Sequence, residues 1–162
     1  MNDYIRPNYY ETDLGQPIDF ITRFRLPFNL GNVVKYLPRA GKKEKDVYDE
    51  DYRKAKYYLD SFVEFNNYKN YWSDSRPRLS GYSGRAKLVG FSEEELRSEF
   101  ENDENYRWAK AYAGQFQHDI ECILIDIALW ALVAWDLEAY YYLTDAQRHL
   151  DSLIASCYPS EQ

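Results

Sequence analysis

A chain of 162 residues, 45% of them hydrophobic, is sized for one ordinary domain with a real core, and its net charge of −7 excludes a general nucleic-acid coat. Two cysteines, Cys122 and Cys157, are too few for a disulfide framework and point to a reducing compartment, while Met1-Asn2-Asp3-Tyr4 shows no signal-peptide pattern. The most apolar stretch, Cys122 to Trp135, contains Asp126 and is too short to span a membrane, so the expectation is a soluble, cytoplasmic protein with no membrane partner.

In chain order, residues 1–66 read as punctuated helices, 67–91 as a loop and 92–162 as helical, the whole forming one all-α domain. Pro17 suits the first turn of a short helix, Ile18 to Arg25, which Pro27 ends. Asn29 or Asn32 is placed to cap a second helix carrying Val33, Val34, Tyr36 and Leu37 up to Gly41, with Pro38 as its irregularity. A third helix runs from about Asp46 to Asn66. Tyr52, Ala55, Leu59 and Phe62 repeat at three and four residues on its apolar face, and Arg53, Lys54, Lys56 and Asp60 mark a solvated one.

The loop 67–91 mixes Tyr68, Tyr71, Trp72 and Tyr82 with five cations against Asp74 alone, a composition suited to stacking on bases. Ser92-Glu93-Glu94-Glu95 has the form of a capping box. A long helix is then expected from about Tyr106 towards Leu143, with a break near Gly114, followed by a final helix capped by Asp145. Ile120 to Leu137 is apolar on nearly every side. In a chain this small, that implies a central helix or a homo-oligomer contact, continued by Tyr140, Tyr141 and Tyr142. Leu59-Asp60-Ser61-Phe62-Val63 and Leu150-Asp151-Ser152-Leu153-Ile154 look alike and suggest a duplicated hairpin.

Chemistry concentrates in one string, Gly31-Asn32-Val33-Val34-Lys35-Tyr36-Leu37-Pro38-Arg39-Ala40-Gly41-Lys42-Lys43, followed by Asp51-Tyr52-Arg53-Lys54-Ala55 and Tyr58. Clustered cations hold phosphate well, arginine as a bidentate donor and lysine as a point charge. Asn32, Lys35 and Arg39 follow one another at about one-turn intervals and can share a helix face. A solvated basic face that compensates an acidic protein is the plainer alternative. No glycine-rich P-loop is present. His118, Asp119, Glu121 and Asp126 on the long helix, with Glu101 and Glu104, give only half of a paired-acid Mg²⁺ signature. The two histidines have no nucleophile motif beside them.

The string G-N-x-x-K-Y-x-x-R-A-G-K-K, then D-x-x-K-A-x-x-Y, resembles the SaV-like family of small bacteriophage proteins, often described as phage nucleotide kinases; the likeness covers about residues 5–65. The resemblance implies a helical fold and a nucleotide or other phosphorylated small molecule as ligand. Its residues would be Tyr10, Asn32, Lys35, Tyr36, Arg39, Lys42, Lys43, Asp51 and Lys54. Through one branch of the family it also implies phosphoryl transfer to deoxynucleoside monophosphates, with Mg²⁺ entering only in that case and no other cofactor. Tyr9 and Gln16 stand where the family carries His and Glu, the residues best able to move a proton. The expectation is therefore capture of a nucleotide, such as a host immune signal, rather than turnover. A nucleotide kinase and an oligomeric factor sensed by a host defence protein are the alternatives. Arg39 is expected to be a ligand contact whose loss weakens binding at least tenfold and spares the fold.

Overall fold

The computed structural model describes residues 10–42, 48–68, 98, 100–133 and 139–157, and among these there is no strand, only an isolated bridge between Thr12 and Gly15. The expected all-α fold is what forms. Among the described residues six helices have both ends placed: α1 Pro17–Arg23, α2 Phe28–Tyr36, α3 Tyr48–Tyr68, α4 Glu104–Ala113, α5 His118–Val133 and α6 Ala139–Ser156, with a 3-10 turn at Leu37–Arg39 after α2.

Each boundary has a local cause. Thr12 and Gly15 exchange backbone hydrogen bonds of 3.1 and 3.2 Å, closing a tight turn in which Gly15 adopts φ +116°. The turn delivers the chain to Gln16, whose N–H donates to Asp19 Oδ2 at 2.7 Å, while Pro17 occupies the first helical position. At the other end of α1, Leu26 N–H donates to Ile21 C=O at 3.0 Å and Arg25 N–H to Thr22 C=O at 3.2 Å. That pair is the Schellman closure, made here with Arg25 rather than glycine at φ +48°.

The second helix starts earlier than the asparagines suggest. Pro27 is its N-cap, and both Asn29 and Asn32 lie inside it. Pro38, expected to kink the helix or end it early, does the latter: α2 stops at Tyr36 and tightens into the 3-10 turn that holds Pro38 at its second position. The third helix follows its expected register, with Tyr52, Ala55, Leu59, Phe62 and Val63 buried. The run expected from Tyr106 towards Leu143 is instead three helices. Asp103 caps α4 by accepting from Tyr106 N–H at 2.9 Å, and the chain breaks at Gly114 as its composition requires. It has also reversed by Ala139, since α5 and α6 pack side by side. Asp145 is accordingly not a cap. It lies within α6 and pairs with Arg148 one turn on.

The helices close into a ring of contacts, α1 on α2, α2 on α3, α3 on α6, α6 on α5 and α5 on α4. Aromatic contacts between α1 and α4 complete it, with Phe20 at 5.9 Å from Trp108 and 5.4 Å from Tyr112. Arg23 reinforces that seam by donating to Asn105 Oδ1 at 3.0 Å and lying 4.7 Å over Trp108. Between α3 and α6, Lys56 bridges Asp60 at 3.0 Å and Asp151 at 2.8 Å, and Gln147 donates to Asp60 Oδ1 at 2.7 Å. The two look-alike pentapeptides thus face one another across that seam. Their leucines, Leu59 and Leu150, are both fully buried, and one lysine binds both of their aspartates.

Helix α5 is the most deeply buried member of this ring. Ile120, all of 123–130, Leu132 and Val133 are buried within one chain, and Trp130 meets Phe62 of α3 edge-on at 5.2 Å. A partner copy is not needed to cover these faces, so the inference from α5 to a homo-oligomer loses its ground. Tyr142 is buried and Tyr141 exposed, while the side chain of Tyr140 lies outside the described residues. Among the described residues no helix is long and apolar enough to cross a membrane. The basic aromatic loop expected at 67–91 lies outside the described residues from position 69 onward, as does the capping box at Ser92.

Candidate functional site

The described part of the string singled out above, with its continuation on α3, contributes one face built from α2, the 3-10 turn and α3. On α2, Phe28, Asn32, Lys35 and Tyr36 recur at helical spacing. On α3, Glu50, Lys54, Tyr57 and Tyr58 do the same, and the two helices pack together. The contact is aromatic: Tyr36 and Tyr58 lie nearly parallel, 12° apart with centroids 6.0 Å apart. Phe28 meets Tyr58 edge-on at 5.9 Å, as does Tyr57 at 5.5 Å.

Cations collect on the Tyr36 ring. The Arg39 guanidinium lies 4.8 Å from its centroid, Lys35 Nζ 5.5 Å and Lys54 Nζ 5.8 Å. The electron-rich ring face offsets part of their mutual repulsion. Glu50 pairs with Lys54 one turn away on α3. That hydrogen bond holds the Lys54 ammonium above its ordinary pKa against the opposing effect of burial, so the ammonium is charged at neutral pH.

Arg39 is placed differently from expectation. Only 8% exposed, it donates from Nε to Asp51 Oδ2 at 2.9 Å, from Nη2 to Asp51 Oδ1 and from Nη1 to Tyr10 Oη at 3.3 Å. Asp51 itself is 1% exposed. The two-pronged carboxylate contact is the main reason the guanidinium pKa is raised further, ahead of the penalty of burial. Arg39, Asp51 and Tyr10 therefore form a strut that pins the 3-10 turn to α3. Asp51 faces Arg39 rather than solvent, and the expectation that loss of Arg39 spares the fold gives way to a buried, positioning role.

The remaining expected ligand residues divide. Lys35, Tyr36 and Lys54 are brought together. The Asn32 amide turns back to donate to Phe28 C=O at 2.9 Å, and Lys42 Nζ lies 5.4 Å over Phe116, in the α4–α5 connection. Lys43 lies outside the described residues, as does Tyr9. Gln16, the other departure from the SaV-like pattern, is the N-cap of α1. Missed in the sequence were Phe28 and Tyr57, whereas Tyr58 already closed the string that was singled out. The signal for Phe28 was its place one and two turns before Asn32 and Tyr36 on the same helical face.

The acids proposed for Mg²⁺ are not assembled. Asp126 is buried in the core, Asp119 faces His149 at 3.4 Å, and Glu101 pairs with Lys110 at 2.8 Å. Among the described residues, no group of three His, Cys, Asp or Glu side chains is placed to hold a metal.

Residues 5–60 match the profile of a family described as a protein of unknown function, DUF3310. The matched stretch carries α1, α2, the 3-10 turn and most of α3, and so every residue of the aromatic and cationic face. It is the same stretch on which the SaV-like resemblance rests. No curated protein and no solved structure matches the chain.

Proposed function

We propose that the protein binds a nucleotide or nucleotide-like phosphorylated ligand on the α2–α3 face. The observation that carries this reading is the Tyr36 ring, stacked on Tyr58 and flanked by Lys35, Lys54 and Arg39. A flat base has aromatic faces to lie against there, and a phosphate has two lysine ammonium groups within reach of the same ring. Lys35 is exposed and Lys54 half-exposed, so both can be approached from solvent. Arg39, locked on Asp51, fixes the 3-10 turn that directly follows Tyr36.

Capture is favoured over turnover. The two carboxylates at the face, Glu50 and Asp51, are each bound to a cation, so neither is poised to accept a proton from a substrate hydroxyl. In the setting that the SaV-like resemblance implies, the captured molecule would be a nucleotide signal of a host defence system.

Calorimetric titration with mono-, di- and cyclic nucleotides tests the reading. Binding should be at least tenfold weaker in the Lys35→Ala/Lys54→Ala variant than in the natural chain. A failure of every phosphorylated ligand to bind overturns the proposal. Efficient phosphoryl transfer from a nucleoside triphosphate with Mg²⁺ to a monophosphate would replace capture by kinase activity.

A further inference from the structure

Two rings at the face do not serve the core. Phe28 is 75% exposed and Tyr57 68% exposed, although both touch Tyr58, which is itself only half-buried. They approach Tyr58 edge-on, with interplanar angles of 80° and 76°, so their planes stand steeply to the Tyr58 ring. One ring comes from the first residue of α2 and the other from the middle of α3. They are therefore separate platforms joined through Tyr58, with the lysines on the Tyr36 side of the cluster.

We propose that this face takes a ligand with two bases linked through phosphate, one base stacked on Phe28 and one on Tyr57. The inference rests on the nucleotide reading above and narrows its ligand class. A mononucleotide has one base and leaves one exposed ring uncovered, whereas a two-base ligand covers both. Stacking on aromatic side chains is tolerant of base identity, because every base has a π face. The phosphates, drawn by Lys35 and Lys54, set where the ligand lies on the face, and the rings discriminate by base number. The same chemistry is offered by a free dinucleotide and by the end of a single strand.

Titrations of the full chain with adenosine monophosphate, a linear 5′-phosphorylated diadenylate, a cyclic diadenylate and a 5′-phosphorylated oligoadenylate distinguish these cases. At least one two-base ligand should bind tenfold or more tightly than the monophosphate. Phe28→Ala and Tyr57→Ala should each remove at least threefold of that affinity, with unchanged thermal unfolding because both rings are exposed. Tighter binding of the oligonucleotide would identify the strand end as the source, and tighter binding of a diadenylate the free dinucleotide. Equal affinity for one and two bases, or indifference to both ring deletions while Lys35→Ala/Lys54→Ala still weakens binding, overturns the two-base inference and leaves nucleotide binding standing. No binding by any of the four overturns both.

Discussion

The Arg39–Asp51 pair shows how much one buried contact can decide. With the carboxylate gone, the guanidinium is left almost without solvent and without its two-pronged acceptor. Losing one partner of a buried pair costs about 3–5 kcal/mol. Asp51→Ala should lose about that much in urea-induced unfolding, and Arg39→Ala a comparable amount. Arg39→Met/Asp51→Leu should recover most of the loss, since two apolar side chains leave no uncompensated charge. Equal destabilisation in the double and single variants would mean that the strut is not what holds the 3-10 turn. Binding data on Arg39→Ala alone would misread a folding defect as a lost ligand contact, so the lysines are the residues to probe.

At the scale of elements, the first helix depends on the turn before it. Gly15 sits at φ +116°, and a side-chain carbon there would come within 2.6 Å of Asp19 Oδ2, the acceptor for the Gln16 N–H. Gly15→Ala is strained in its backbone and displaces that carboxylate. It should cost about 1–3 kcal/mol, read as a lowered unfolding midpoint, and an unchanged midpoint would refute the argument.

What could be read without coordinates follows the same physics. The register of α3 was legible because a long helix with one buried stripe writes its period plainly. The division of the last part was not. Helix α5 is apolar on nearly every side, so periodicity could not tell one long helix from two packed side by side. At the site, clustered charge and the Tyr36 position were legible, since Lys35, Tyr36 and Lys54 do meet. The opposite fates of Lys54 and Arg39 were not. Both read as cations on helical faces, and only the packing of the 3-10 turn on α3 buries one of them.

The whole molecule should weaken in alkali. Burial, with the nearby Asp19 charge in second place, holds the Tyr112 phenol above its ordinary pKa of 10.0, and its hydroxyl has no hydrogen-bond partner among the described residues. Lys56 is also raised above 10.5, because Asp151 and Asp60 outweigh the burial that opposes them. In both cases the native state holds its proton more tightly than the unfolded chain. The associated stability is complete below about pH 10, where the unfolded groups are still protonated, and drains away as the pH rises further. Urea midpoints measured from about pH 8 to about pH 11 should therefore fall at the alkaline end. Tyr112→Phe should flatten that fall, and below pH 10 it should be more stable by about 1 kcal/mol, having lost an unsatisfied buried hydroxyl. A steeper alkaline loss in Tyr112→Phe would contradict the assignment.

The ring of helices also has an order of manufacture. Helix α5 is covered on one flank by α6, which is translated after it, and α3 likewise completes its packing only against α6. At ribosomal rates of about 5–20 residues per second, roughly a second or more separates the synthesis of α5 from that of the helix that shields it. During that interval, a segment greasy on all sides lacks the cover of α6. A premature stop codon before Ala139 would make the interval permanent, turning the most protected helix of the finished protein into its most aggregation-prone stretch.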